Sequence, residues 1–274
     1  MNTLTLESGT CQGTPFGFVT RIKRELLSRE RRLTLYAALL LALLVPMAIA
    51  AGLDERTLRG ANVWVKPMKF ALSIAVLALT TAWFIGHLPR ERRQTRAVQW
   101  IVGLLIGAGS FELAYITLQA ALGQASHYNI GDAFHGIMYS LMGLGALLLS
   151  ATQPMLAWQL YRHGDRGRPA AYRLAVLLGL TLAFVFGAGI GGLLSGMQPP
   201  STAALPILGW SMQGGDLRPA HFLGLHAAQA LPLIGFGIAR FGSPPGGRRW
   251  VWAATFAYSL LFAAAVVWGL PGRG

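Results

Sequence analysis

The chain is predicted to be an all-α, polytopic membrane protein with seven transmembrane helices, its N-terminus cytoplasmic and its C-terminus outside. Three observations carry this. Of its 274 residues 54% are hydrophobic and 12% charged, where a soluble domain carries about a quarter charged residues. Seven apolar runs each approach or exceed the ~20 residues needed to cross the hydrocarbon of a bilayer. Basic residues, finally, gather between alternate runs. Four segments hold 17 of the 23 Lys and Arg residues with only five acids, so they carry +12 of the net +13. That is the positive-inside pattern. It accounts for the basic balance without nucleic acid as a partner.

The elements follow in order. Residues 1–32 form a cytoplasmic basic arm with Arg21, Lys23, Arg24, Arg29, Arg31 and Arg32. Phe18, Val19, Ile22 and Leu26 make an apolar stripe within it, as expected of an interfacial helix on an anionic leaflet. Cys11 is the only cysteine, which rules out an intrachain disulfide. The transmembrane domain, 33–274, has spans at about 33–53, 67–88, 97–122, 133–160, 172–194, 217–239 and 250–270. The stretch Ala48-Ile49-Ala50 resembles a signal-peptide cleavage site. The arm is long for an n-region and the run long for an h-region, so span 1 reads as retained. Trp83, Trp100, Trp158, Trp250 and Trp252 fall near inner ends and Trp64, Trp210 and Trp268 near outer ends, as an aromatic belt. Gly103/Gly107, Gly187/Gly191 and Gly192/Gly196 are small-xxx-small pairs suited to close helix packing.

Polar groups gather toward the outer side. Ionisable side chains at membrane depth are costly and mark candidate sites. Glu112 lies well inside span 3, with Tyr115 and Gln119 on its face at i+3 and i+7. Lys66, Lys69 and Ser73 share a face of span 2. Spans 4 and 6 open alike, with Asp132 before His135 and Asp216 before Arg218 and His221; His127 lies just upstream of the first. Both aspartates suit N-caps and Pro219 an early helical position. His221 and His226 are five residues apart and point about 140° from each other, so they cannot chelate one ion as an i, i+4 pair. His226 shares a face with Gln229. A site joining His135 to His221 or His226, with Glu112 nearby, would need several helices.

The runs Asn62-Val-Trp-Val-Lys-Pro-Met-Lys-Phe-Ala-Leu-Ser73, Ser126-His-Tyr-Asn129 and Gly215-Asp-Leu-Arg-Pro-Ala-His-Phe-Leu-Gly-Leu-His226 resemble an uncharacterised group of bacterial integral membrane proteins. The resemblance covers spans 2 to 6. It implies a multi-pass protein of the bacterial inner membrane and no particular activity. The zinc hydrolase pattern of alkaline ceramidases is absent, and span 7 lacks the lysine of a retinal Schiff base.

Three functional readings stay open. In the first, His135, His221, His226 and Glu112 hold haem b or a divalent metal for membrane redox or metal-assisted chemistry, with Arg218, Lys66 and Lys69 available to haem propionates. In the second, the chain is a proton-coupled transporter of a small anion or lipid-like solute, with Glu112 and Lys69 carrying charge. In the third it is a non-catalytic assembly or sensory subunit whose polar groups lock helices together. Beyond the lipid bilayer, a membrane partner subunit or a homo-oligomer would suit the third.

Overall fold

A computed structural model describes residues 15–197, 205, 209–211, 213–241 and 246–270. Cys11 and the side chain of Phe18 lie outside the described residues. Among the described residues seven helices are long and apolar enough to cross a membrane: α2 (Arg31–Leu53), α3 (Val65–Ile85), α4 (Arg96–Ala121), α5 (Ala133–His163), α6 (Ala170–Gly196), α7 (Arg218–Phe241) and α8 (Gly247–Gly269). They are preceded by α1 (Pro15–Arg29), in the basic arm. Val19 and Ile22 of α1 are exposed, while Leu26, one turn beyond Ile22 on the same stripe, packs against the core. Because successive spans run in opposite directions, the basic segments share one end of the bundle, called here the basic end.

The core of the first four helices depends on small side chains. Ala71, Ala75, Ala78 and Ala82 recur at helical spacing on α3 and are fully buried. Leu33 and Leu40 of α2 and Ile101 and Leu105 of α4 fill the space they leave. The α6–α7 pair is held closer still, by glycine. A Cβ at Gly224 would lie 2.9 Å from the backbone of Gly187 and Phe186, and one at Gly235 would lie 2.2 Å from the Ala175 Cβ. Of the small-residue pairs expected from spacing, Gly187/Gly191 sits against α7. A Cβ at Gly103, Gly107, Gly192 or Gly196 would meet nothing within 4 Å. Which glycines serve packing is set by helix register, which spacing alone does not contain.

At the basic end, arginines close the carbonyl end of α3. Arg29 donates to the Trp83 carbonyl (2.8 Å), and Arg93 to those of Gly86 and Leu88 (2.9 Å each). These are the orphan acceptors every helix C-terminus presents. His87 is buried there between the rings of Phe84 and Tyr172. Its carbonyl accepts the Asp165 amide, tying the α3–α4 and α5–α6 connections together.

At the far end, a short hairpin, β1 (Thr57–Leu58) with β2 (Ala61–Asn62), interrupts an otherwise helical chain. Its two turn residues, Arg59 and Gly60, have φ of 54° and 75°. A two-residue hairpin needs that left-handed geometry to match the twist of its strands. Arginine in such a place is unusual, which is why the sequence pattern does not announce the hairpin.

Substituting Gly224 with alanine should force α6 and α7 apart and destabilise the protein by roughly 1–3 kcal/mol. The same change at Gly103 should leave thermal stability in detergent nearly unaltered, because its Cβ would project into open space. Melting the two variants side by side checks the assignment.

Candidate functional site

Three connections at the far end are built around aspartates. Asp54, just after α2, accepts Arg56 through Nε (2.9 Å) and Nη2 (2.7 Å), and the Trp64 indole N–H at 2.9 Å. Arg56 also donates to the Ala121 carbonyl (3.1 Å), and Asn62 donates to the Ala51 and Asp54 carbonyls. The hydrogen bonds from Arg56, then Trp64, hold the Asp54 carboxyl well below the usual range. This network explains the Asn62–Trp64 run: it clamps the hairpin onto α2 and α4 and aims the start of α3.

Asp132 is the N-cap of α5. It accepts the His135 backbone N–H at 3.0 Å and contacts His135 Nδ1 at 2.5 Å, while His135 Nε2 lies 3.2 Å from Gln124 Oε1. Both ring nitrogens are therefore engaged. The amide of Gln124 can turn to suit either imidazole state. The His135 amide, then its ring, lowers the Asp132 carboxyl.

Asp216 is fully buried before α7. It accepts the amides of Ser211 (2.9 Å) and Arg218 (3.0 Å) and the Arg218 guanidinium, Nη2 at 2.6 Å. Arg218 also reaches the Gly209 carbonyl at 2.5 Å. Burial pushes this carboxyl up, but the bonds from Arg218 and from the amides outweigh it and hold it low. The N-cap role expected of both aspartates holds for Asp132; Asp216 lies two residues before the first residue of α7 and braces the preceding loop through Ser211 and Arg218 instead.

Inside this rim lies a connected set of charges. Lys66 interacts electrostatically with Arg59, Glu112 and Lys69, and Lys69 with Arg218. His127 faces Lys66 and the rings of Phe70 and Tyr139. Tyr128 lies beneath Arg59, 5.5 Å from its guanidinium, and its hydroxyl donates to the carbonyls of Leu194 and Met197. Tyr139 donates to the Ser195 carbonyl at 2.7 Å. Burial, then the charge of Lys66, pushes His127 down to about 3, so it is a neutral ring at ordinary pH.

Glu112 stands apart from the other acids. It is 1% exposed, and its Oε1 has no hydrogen-bond partner among the described residues. A Cβ at Gly145 of α5 would lie 2.8 Å from that oxygen, so the missing side chain leaves the carboxyl its space. Tyr115 and Gln119 are buried on the same face, the tyrosine hydroxyl beside Gln119 without hydrogen-bonding geometry.

The histidines are not brought together in this way. His221 packs against Gly191 of α6 with Nδ1 buried and unpartnered. His226 contacts the Phe222 ring and Gln229, and Gln229 donates to Thr80 of α3 at 3.0 Å. The hydrogen-bond and ring partners of His135, His221 and His226 share no residue. Among the described residues no three His, Cys, Asp or Glu side chains group as a metal site would require. Sequence reasoning missed Arg59, Tyr128 and the Asp54 network. An acid two residues before an arginine, which recurs at Glu30/Arg32, Asp54/Arg56 and Asp216/Arg218, was the available signal.

Compared with protein-family models, with curated proteins and with solved structures, the chain matches none.

Removing Arg218 leaves Asp216 buried and uncompensated. Arg218→Met should therefore cost on the order of 3 kcal/mol, and the double variant with Asp216→Asn should recover part of it. A double-mutant cycle on thermal stability that came out additive would refute the pairing.

Acid should destabilise the fold through His127. Its folded pKa lies below the unfolded value, so the unfolded chain takes up the proton first. Stability is then full above about pH 6.5 and falls toward about pH 3, by at most ~1.4 kcal/mol per unit. His127→Gln should flatten the fall in melting temperature over that window.

Proposed function

We propose that this protein is a proton-coupled carrier of a small anion, working in a bacterial inner membrane with its basic end in the cytoplasm. One observation carries the reading: Glu112 is a buried carboxyl with no ion-pair partner among the described residues, set among an excess of cations. Four basic groups (Arg59, Lys66, Lys69, Arg218) are coupled around the far end of α3, α4 and α7. Two buried carboxylates, Glu112 and Asp216, oppose them. Asp132 and Asp54 are committed to His135 and to Arg56 with Trp64. The surplus is positive, and clefts lined by one sign of charge concentrate ions of the other.

The coupling follows from Coulomb's law. An anion beside Lys66 and Lys69 offsets the positive field acting on Glu112, so anion and proton bind better together than apart. Such linkage is reciprocal. Arg59 and Arg218, held on the hairpin and on the α7 turn, attract the solute at the mouth. Tyr115 and Gln119 sit one and two turns from Glu112 toward the same mouth, on the face along which a proton would leave it.

The metal or haem reading draws less support. His135 has both ring nitrogens engaged, and His221 and His226 occupy separate environments.

Proteoliposomes loaded with a pH-sensitive dye test the proposal with chloride, acetate and inorganic phosphate as probes. At least one should drive proton movement in the wild type. Glu112→Gln, a fixed mimic of the protonated acid, should abolish proton movement while leaving anion binding within about threefold. Lys66→Met should weaken binding tenfold or more, since one charge contact is worth roughly 1.4 kcal/mol or above in such a site. Equal proton flux in wild type and Glu112→Gln would sink the idea.

A further inference from the structure

At the basic end, away from the site just described, a cleft of about 600 Å³ lies between the α1–α2 junction and the 3₁₀ turn Arg90–Gln94. Five arginines line it (Arg29, Arg31, Arg32, Arg90, Arg93), against one carboxylate, Glu30. That carboxylate is occupied: it caps α2 through the Arg32 amide and takes the Arg32 guanidinium at 2.9 Å.

Two of these arginines are held in place by protein contacts. Arg29 is fixed by Glu25 (2.7 Å), by the Trp83 carbonyl and by stacking on the Trp83 ring at 3.9 Å. Arg93 is fixed by the carbonyls of Gly86 and Leu88. Glu25 offsets the charge of Arg29, whereas the carbonyls that orient Arg93 leave its charge in place. Arg31 and Arg90 are exposed at the mouth, and among the described residues neither forms an ion pair. A preorganised concentration of arginine with two uncommitted forks at its edge is the arrangement that binds phosphate oxygens bidentately.

Its setting selects the source of the phosphate. Gln99 lines the cleft, and Trp100 beside it is 65% exposed; Val19 and Ile22 of α1 are also exposed apolar groups near that end. Exposed tryptophan marks headgroup depth, so the mouth opens where lipid phosphates lie.

We propose that this cleft binds the phosphate headgroup of an anionic phospholipid from the adjoining leaflet. Arg31 and Arg90 contact the phosphate, while Arg93 supplies a fixed positive charge behind it and Arg29, held by Glu25 and Trp83, shapes the wall.

The test is native mass spectrometry and thermal melting of the full-length protein in detergent with added phosphatidylglycerol or phosphatidylcholine. Phosphatidylglycerol should remain bound and raise the melting temperature, and phosphatidylcholine should do neither. Arg31→Gln with Arg90→Gln should lower phosphatidylglycerol retention about thirtyfold, at roughly one charge's worth of surface attraction per residue. Arg248→Gln with Arg249→Gln, exposed at the same end but outside the cleft, should leave it within twofold. If the double variant does not fold, Arg90→Gln alone should still lose about fivefold. Undiminished retention in the cleft variants, or an equal loss in the control pair, overturns the site. Stabilisation and displacement of the lipid by dissolved inorganic phosphate would assign the cleft to a soluble anion and overturn the lipid proposal.

Discussion

A charge carried toward the apolar layer of a membrane has to be neutralised by its protein neighbours, because little water is there to do it. The turns of this molecule are built to that constraint. Only ten acids occur in the chain, and most serve as local anchors. Glu25, Glu30, Asp54, Asp165 and Asp216 each hold an arginine two to four residues away, and Asp132 holds His135. Pairing so close in sequence needs little chain to be ordered, so each pair forms with its own turn. Each then fixes where the next helix begins.

What the pairs fix is the relative position of helices that have few other reasons to align. Arg56 reaches across to the end of α4, and Arg29 and Arg93 reach the end of α3. Tyr128 and Tyr139 reach the end of α6 from the α4–α5 connection and from α5. In a hydrocarbon solvent the apolar faces do not discriminate among partners, since lipid tails are as apolar as leucine. Direction comes instead from these polar contacts and from glycine contacts such as Gly224 on Gly187.

The fold was largely legible because a span is a long feature. Twenty apolar residues average out local irregularity, so α4 (Arg96–Ala121) falls within a residue of the expected 97–122. The helix faces were legible for the same reason: helical phase alone groups Glu112, Tyr115 and Gln119, and all three are buried. Contacts between helices were not. Nothing in the spacing of His135, His221 and His226 says that α5 turns the first toward Gln124 while α7 turns the third toward Thr80. The hairpin was hidden because its turn is Arg59-Gly60 rather than an asparagine–glycine pair. The working glycines depend on a register that only the packed helices possess.

Glu112 is where the constraint and its exception meet. Polar side chains that serve only to join membrane helices can satisfy themselves, as Gln229 does by donating to Thr80 while its amide oxygen faces His226 Nδ1. A carboxyl kept for cohesion would be expected to do the same, and the six paired acids show that this chain has the means. Glu112 instead occupies the space left by Gly145, within the field of Lys66 but with an oxygen unbonded. The isolation is costly when the group is ionised and much less so when it is protonated. Its stability therefore depends on what charge stands beside Lys66. That dependence separates a group able to exchange a proton in response to a bound ion from one that only holds two helices together.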